Sequence, residues 1–321
     1  MREDTPGRHS GREPCPYDVA EACDLPGLHA DNMMAGLGAG EKPRYLLYSP
    51  IWEGKSAPFG ITAEPASHAV AVTHDRFVIS RDFHAKSAKP ELRTIPFSNV
   101  IYVQLGSSFC LGWFAVRFAE RGPAACELML FPAIGRDHFA AAVREYRSAI
   151  AHGRGPDPAQ PAPTWDSIWG QDRLQAERMR ELLVRGERPI CALHSSELWV
   201  EQRSLWKSKW RCISYEGLLL ATNTGIFHLS RETYDRPTTW NIGMNVLCVP
   251  YETVQSALIG QKVILGRRLH CLQLTLARKN ASTCLEVPFA EADTEAGQAV
   301  VEHLAGAESS GSNRQVQVQS K

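Results

Sequence analysis

No stretch of this sequence approaches the ~18 consecutive apolar residues that a membrane-spanning helix needs, which argues against a helical integral membrane protein. Excess charge of either sign is also missing. Lys plus Arg equals Asp plus Glu at 35 each, which removes the basic balance of a dedicated nucleic-acid binder and the acidic balance of a solvating tail. Recognition of any partner must then come from local patches. The N-terminal residues have no apolar core of a secretory signal, and the nine cysteines, an odd number without regular spacing, do not form a disulfide framework. Free thiols in a reducing, cytoplasmic setting are expected.

Catalytic fingerprints are missing as well. There is no Cys-x-x-Cys, no His-Glu-x-x-His and no Gly-x-Ser-x-Gly, the patterns of structural zinc, zinc hydrolysis and a nucleophile elbow. The stretch Gly36 to Lys42 looks superficially like a phosphate loop. Its spacing is wrong and Pro43 follows in place of Ser or Thr, so it reads as flexible linker. His270 and Cys271 are adjacent, and on a strand they point to opposite faces, which excludes them as a dyad. Cys110, Cys126, Cys248, Cys271 and Cys284 sit in apolar runs and read as buried structural thiols, leaving Cys15 and Cys23 as the more reactive pair. No enzyme, cofactor or metal is expected.

What is present is organisation. A length of 321 residues predicts about two domains. Residues 1–43 are rich in Gly, Pro and acids and read as disordered. Residues 44–150 show short β-branched and aromatic runs ending in a helical stripe of Phe139, Ala142, Val143, Tyr146 and Ile150. Residues 151–164 are a Pro-rich linker, and 165–188 form an amphipathic connecting helix whose stripe includes Ile168, Ala176, Met179 and Leu182. Residues 189–306 repeat the strand texture and again finish in a helix, and 307–321 form a polar, disordered tail.

The two modules are related to each other. Phe77 to Asp82 aligns with Phe227 to Glu232 at an offset of about 150 residues, and Ile95-Pro96-Phe97 and Gly106 match Val249-Pro250-Tyr251 and Gly260 at a slightly longer one. Cys126, Phe131 and Val143 then match Cys284, Phe289 and Val301. Each step in the offset falls where a loop can absorb it. The expected architecture is mainly β (α+β): two small β-barrels or sandwiches, each plugged by a C-terminal helix.

In the second module, Tyr215 to Phe227 and Val249 to Val254 resemble the strand, Thr-Asn turn and strand of the GRAM and bacterial branches of the pleckstrin-homology (PH) superfamily. The first module offers Ala71 to Ile79 and Ile95 to Val100, with His74 in place of the Asn. The segment Trp206 to Ile213 is similar to the basic-aromatic strand of lipid-binding PH domains. Alternation along a strand groups Lys207, Lys209 and Arg211 on one face, with Trp206 and Trp210 beside them and Arg203 nearby. Such a cluster suits phosphate oxygens or an interfacial membrane contact. The bland alternative is a solvated strand face.

The function expected is non-catalytic docking or scaffolding. The chain would bind a protein partner and, through the second module, an anionic phospholipid surface at the inner face of the membrane, with no nucleic acid. A small-molecule or catalytic site in a cleft between modules, and a structural oligomer subunit, are the competing readings.

Overall fold

A computed structural model describes residues 15–51, 66–83, 91–108, 110–151, 164–165, 168, 173–195, 197–203, 208–214, 216–232, 243–264 and 266–309. The chain is mainly β, with several antiparallel sheets. In its first half, β1 (Tyr17–Asp18) adds to the edge of a sheet formed by β2 (Tyr45–Ser49), β3 (Ala66–Val72), β4 (Arg76–Phe83) and β5 (Glu91–Pro96). A helix, α1 (Leu28–Gly36), lies between β1 and β2 in sequence. Three more strands follow, β6 (Val100–Ser108), β7 (Leu111–Phe118) and β8 (Ala125–Pro132), and then the helix α2 (Arg136–Ile150).

The helical stripe does what its spacing dictates. Phe139 stacks on Phe131 at 4.0 Å, Tyr146 lies 5.1 Å from Phe77, and Val143 is fully buried between them. Leu47, Val70, Val72, Phe77 and Ile79 supply the facing surface.

The second half also runs from a helix through strands to a closing helix, with two more strands between the helices than in the first. Helix α3 (Arg173–Arg180) precedes β9 (Pro189–Ser195), β10 (Leu198–Arg203), β11 (Ser208–Ser214), β12 (Gly217–Thr222), β13 (Ile226–Glu232) and β14 (Gly243–Val249). Then come β15 (Val254–Ile264), β16 (Arg267–Arg278), β17 (Ala281–Phe289) and α4 (Thr294–Ser309), whose Val300, Val301 and Leu304 are buried with Leu272, Leu274 and Phe289. Helix α4 runs to Ser309, beyond the boundary expected for the tail.

No sheet closes into a barrel among the described residues, so the barrel alternative gives way to open sheets. The reason is a shared seam. Strand β6 pairs antiparallel with β14, which merges both halves into one seven-stranded sheet of order β8-β7-β6-β14-β13-β12-β9. Gln104 Nε2 donates to Asn245 Oδ1 at 2.9 Å across that seam. Met179, Leu182, Ile168 and Ala176 of the connecting segment bury against the same cluster as Leu218, Leu220, Phe227 and Leu229 from the second half and Phe139 and Val143 from the first.

Disorder across residues 1–43 is corrected for the described part. Leu25, Met33 and Leu37 are buried on Leu46, Ala69, Ala71 and Val78, the outer face of the first sheet. Small residues let the helix approach closely: a Cβ at Gly36 would lie 2.6 Å from Val78. His29 pins it, with Nδ1 and Nε2 each 2.9 Å from the hydroxyls of Ser80 and Ser67. Composition misleads here because so short a helix draws its stability from the sheet beneath it rather than from its own propensity. Residues 1–14 and most of the 151–164 linker lie outside the described residues.

One alignment also shifts. Thr73 N donates to Arg76 O at 3.0 Å and Thr222 N to Gly225 O at 2.9 Å, so the two turns match Thr73 with Thr222 and therefore Phe77 with Ile226, not Phe227. A slip of one residue reverses every side chain on a strand. Accordingly Ile226 faces the core of its own half, whereas Phe227 and Leu229 face the connecting segment and the first half. The cysteines divide likewise. Cys248 and Cys271 are buried, while Cys110, Cys126 and Cys284 are exposed because the strand pleat and the β6–β7 turn direct them outward.

Candidate functional site

Four of the six residues of the expected basic-aromatic site lie on the strands β10 and β11. Trp206 and Lys207 lie outside the described residues. Arg203, Lys209, Trp210 and Arg211 are placed by the backbone register, which sets Arg203 opposite Ser208, Gln202 opposite Lys209, Glu201 opposite Trp210 and Val200 opposite Arg211. Beyond the rung Ser195–Gly217 of β9 and β12, the hairpin lies outside the seven-stranded sheet and, among the described residues, pairs only with itself.

The structure assembles a second constellation that sequence reasoning missed, at the joint between the halves. Arg147, near the end of α2, donates through Nη1 to Glu187 Oε2 at 2.8 Å and through Nη2 to Oε1, and Nη1 also reaches Leu182 O at 2.6 Å. The hydroxyls of Thr222 and Thr224 donate to Oε1, each at 2.5 Å, and Val184 N donates to Oε2 at 3.0 Å. The guanidinium also covers the Phe227 ring at 4.0 Å. Burial by itself would raise the Glu187 pKa, but the Arg147 charge and the hydrogen bonds from Arg147, Thr222 and Thr224 outweigh it and hold it below the usual carboxylate value. The Thr-Asn turn singled out above thus serves as the socket of an ion pair. A cleft site between modules would need open polar groups here, and these are saturated by one another.

A signal for the joint did exist. Met33, Leu37, Gly40, Glu41, Pro43, Leu47 and Ser49 recur at one constant offset as Met179, Leu183, Gly186, Glu187, Pro189, Leu193 and Ser195. Geometry recurs with them. Gly40 and Gly186 have φ of 77° and 80°, a left-handed conformation that glycine adopts without strain. Glu41 Oε2 accepts from Gly38 N at 2.8 Å, as Glu187 accepts from Val184 N. The Gly-rich stretch read as linker is therefore an ordered socket in the first half. There, Arg76 from the turn itself binds Glu41 Oε2, and its Nη1 donates to Asp75 at 2.9 Å.

The interior of the first half ends in an unusual polar rung. Ser49, His68 and Arg81 are direct cross-strand partners, one step beyond Leu47, Val70 and Ile79 on the same inward face. Ser49 Oγ, both ring nitrogens of His68 and Arg81 Nε have no hydrogen-bond partner among the described residues. Arg81 and Arg93 both pair with the nearly buried Glu127 of β8, whose pKa burial raises even against those two charges. Burial, with the charges of Arg81 and His29, pushes His68 down to about 3 from 6.5.

His68→Leu is therefore expected to stabilise the chain by about 1 kcal/mol, since a buried polar group without a partner costs roughly 1–3 kcal/mol. The gain should grow as pH falls below about 6.5, where the unfolded chain takes up a proton that the folded imidazole refuses until about 3. Urea titrations at pH 5 and 8 read both effects. A loss of stability instead would show that His68 is held by a group beyond these residues.

Glu41, His74 and Asp75 bring potential metal-ligand atoms within 4.8 Å of one another, but the Arg76 guanidinium is bonded to both carboxylates. Among the described residues, no helix is long and apolar enough to cross a membrane.

No family model and no curated protein matches the chain. Among solved structures, the hSac2 domain from the human phosphoinositide phosphatase Sac2 is similar over 46% of this chain and 88% of that one, at 19% identity and a TM-score of 0.31. A likeness of that size says nothing about what this chain does.

Proposed function

We propose that the chain is a non-catalytic docking protein made of two PH/GRAM-like copies, and that the hairpin β10–β11 is the element that meets an acidic membrane surface. The hairpin carries the reading: it lies outside the shared sheet, pairs only with itself among the described residues, and bears Arg203, Lys209, Trp210 and Arg211. Cations that alternate with tryptophan suit a surface where phosphate oxygens lie above an apolar layer. The two Thr turns and the recurring Gly-Glu-(Lys/Arg)-Pro segment support a duplicated unit. The shared sheet and the Arg147–Glu187 joint would hold the hairpin in a set orientation relative to the first half. Such a protein would work at the inner face of a membrane as a scaffold for a protein partner.

Co-sedimentation with neutral and anionic vesicles at low and high salt tests this. Binding should require anionic lipid, fall with salt, and drop at least about tenfold in Lys207→Glu/Lys209→Glu/Arg211→Glu, given ~1 kcal/mol per basic residue near an anionic surface. Binding that ignores the triple substitution, or none at all, would remove the hairpin from the function.

A further inference from the structure

We propose that the polar rung of Ser49, His68 and Arg81 is a small-molecule site in the first half, and that its ligand is a small carboxylate. This goes beyond the docking function and does not depend on the hairpin. The rung lies toward the end of the inner space that α2 does not plug. Phe77 and Phe131 touch the helix, whereas Arg81 and Glu127 stand four residues away along the same two strands, roughly 13 Å at the rise of a strand and on the same inward face.

Four polar atoms meet there without partners. His68 is 4% exposed and Ser49 is fully buried, and neither imidazole nitrogen, nor the hydroxyl, nor Arg81 Nε has a hydrogen-bond partner among the described residues. Direct cross-strand pairing sets the three side chains next to one another. A native interior leaves few such groups, so three neighbouring side chains with unmet atoms call for a common partner.

The unmet groups define its chemistry. Burial, with the charges of Arg81 and His29, holds the His68 ring neutral by pushing it down to about 3, so the ring keeps one N–H. That N–H and Arg81 Nε only donate, and the Ser49 hydroxyl is able to, so the missing group is an acceptor with several lone pairs. Charge points the same way. Arg81 and Arg93 share the Glu127 carboxylate, while Glu91, cross-strand from Arg81, is exposed and forms no ion pair with it among the described residues. Two cations against one buried anion leave a place for a second negative charge, and a carboxylate brings it with oxygens for all three donors. The Arg81 and Arg93 side chains are 20% and 36% exposed, so the site borders water on their side.

Acetate and its neutral counterpart acetamide test this on the full chain at constant ionic strength. An anion as small as acetate is expected to bind in about the millimolar range. It should shift the His68 ring resonances saturably and raise the unfolding temperature above that in equal sodium chloride, and acetamide should do neither. Ser49→Ala should weaken acetate binding about tenfold, the size expected for a lost charge-assisted bond. His68→Leu should abolish the acetate effect while leaving the unliganded chain at least as stable as wild type, so loss of binding there is not loss of folding. Vesicle binding should be unchanged in both variants. Equal response to the two probes, or a His68→Leu chain that still gains stability from acetate, would overturn the proposal. No His68 shift with acetate would overturn it in favour of ordered water at the rung, and a destabilised His68→Leu chain would overturn it by showing that the imidazole is held from within the protein.

Discussion

Replacing Arg147 with alanine should lower the stability of the whole chain by about 3–5 kcal/mol, because it leaves the fully buried Glu187 carboxylate without its counter-ion. Glu187→Ala should cost a similar amount by stranding Arg147. If the pair mainly sets the geometry of the joint, Arg147→Met/Glu187→Met should recover much of the loss, since a packed apolar pair of similar volume avoids the desolvation of two charges. Urea unfolding of the two single variants and the double variant measures the coupling. A cost below about 1 kcal/mol for Arg147→Ala would mean that the joint is solvated like a surface ion pair.

The pH dependence has a definite sign. Folded Glu187 has a lowered pKa, so its contribution is complete above the unfolded carboxylate value of about 4.3 and is lost as pH falls through the lower folded value. The wild-type chain should therefore lose stability more steeply than Glu187→Gln below about pH 4.3.

The second large effect lies on the seam. Gly106 of β6 pairs with Trp113 on one side and Asn245 on the other, and a Cβ there would meet Trp113 Cε2 at 2.0 Å. Trp113 is itself buried, so its ring has nowhere to retreat. Gly106→Val is expected to cost about 3 kcal/mol, the upper part of the overpacking range, and to loosen the pairing between the halves. Hydrogen exchange at β14 amides and thermal unfolding read both consequences. In a Trp113→Leu background the cost should shrink, and an undiminished cost would place the strain elsewhere.

Some of this was legible in the residues. Period-two apolar runs and the stripe from Phe139 to Ile150 identified the strands and the capping helix, because burial of one face leaves a direct periodic trace. The Pro-rich segment separated the halves for a similarly local reason. The recurring Gly-Glu-(Lys/Arg)-Pro segment is equally visible in the residues, but glycines and charges more often mark a linker than a socket. Phe227 shows the opposite limit. Its motif matched Phe77 in letters, and only the hydrogen bonds of two turns revealed that the strand is displaced by one residue and faces the other way.

The sequence by itself determined that the chain is mainly β, that two strand-rich segments each end in an amphipathic helix, and that the basic cluster belongs to the second. Tertiary structure decided that β6 and β14 join those halves in one sheet, that residues 17–36 pack as part of the first, and that Arg147 closes on Glu187. The physical reason is range. Periodicity records which face of an element is buried, whereas edge pairing and a single long-range ion pair depend on groups far apart in sequence, with no repeating pattern to announce them.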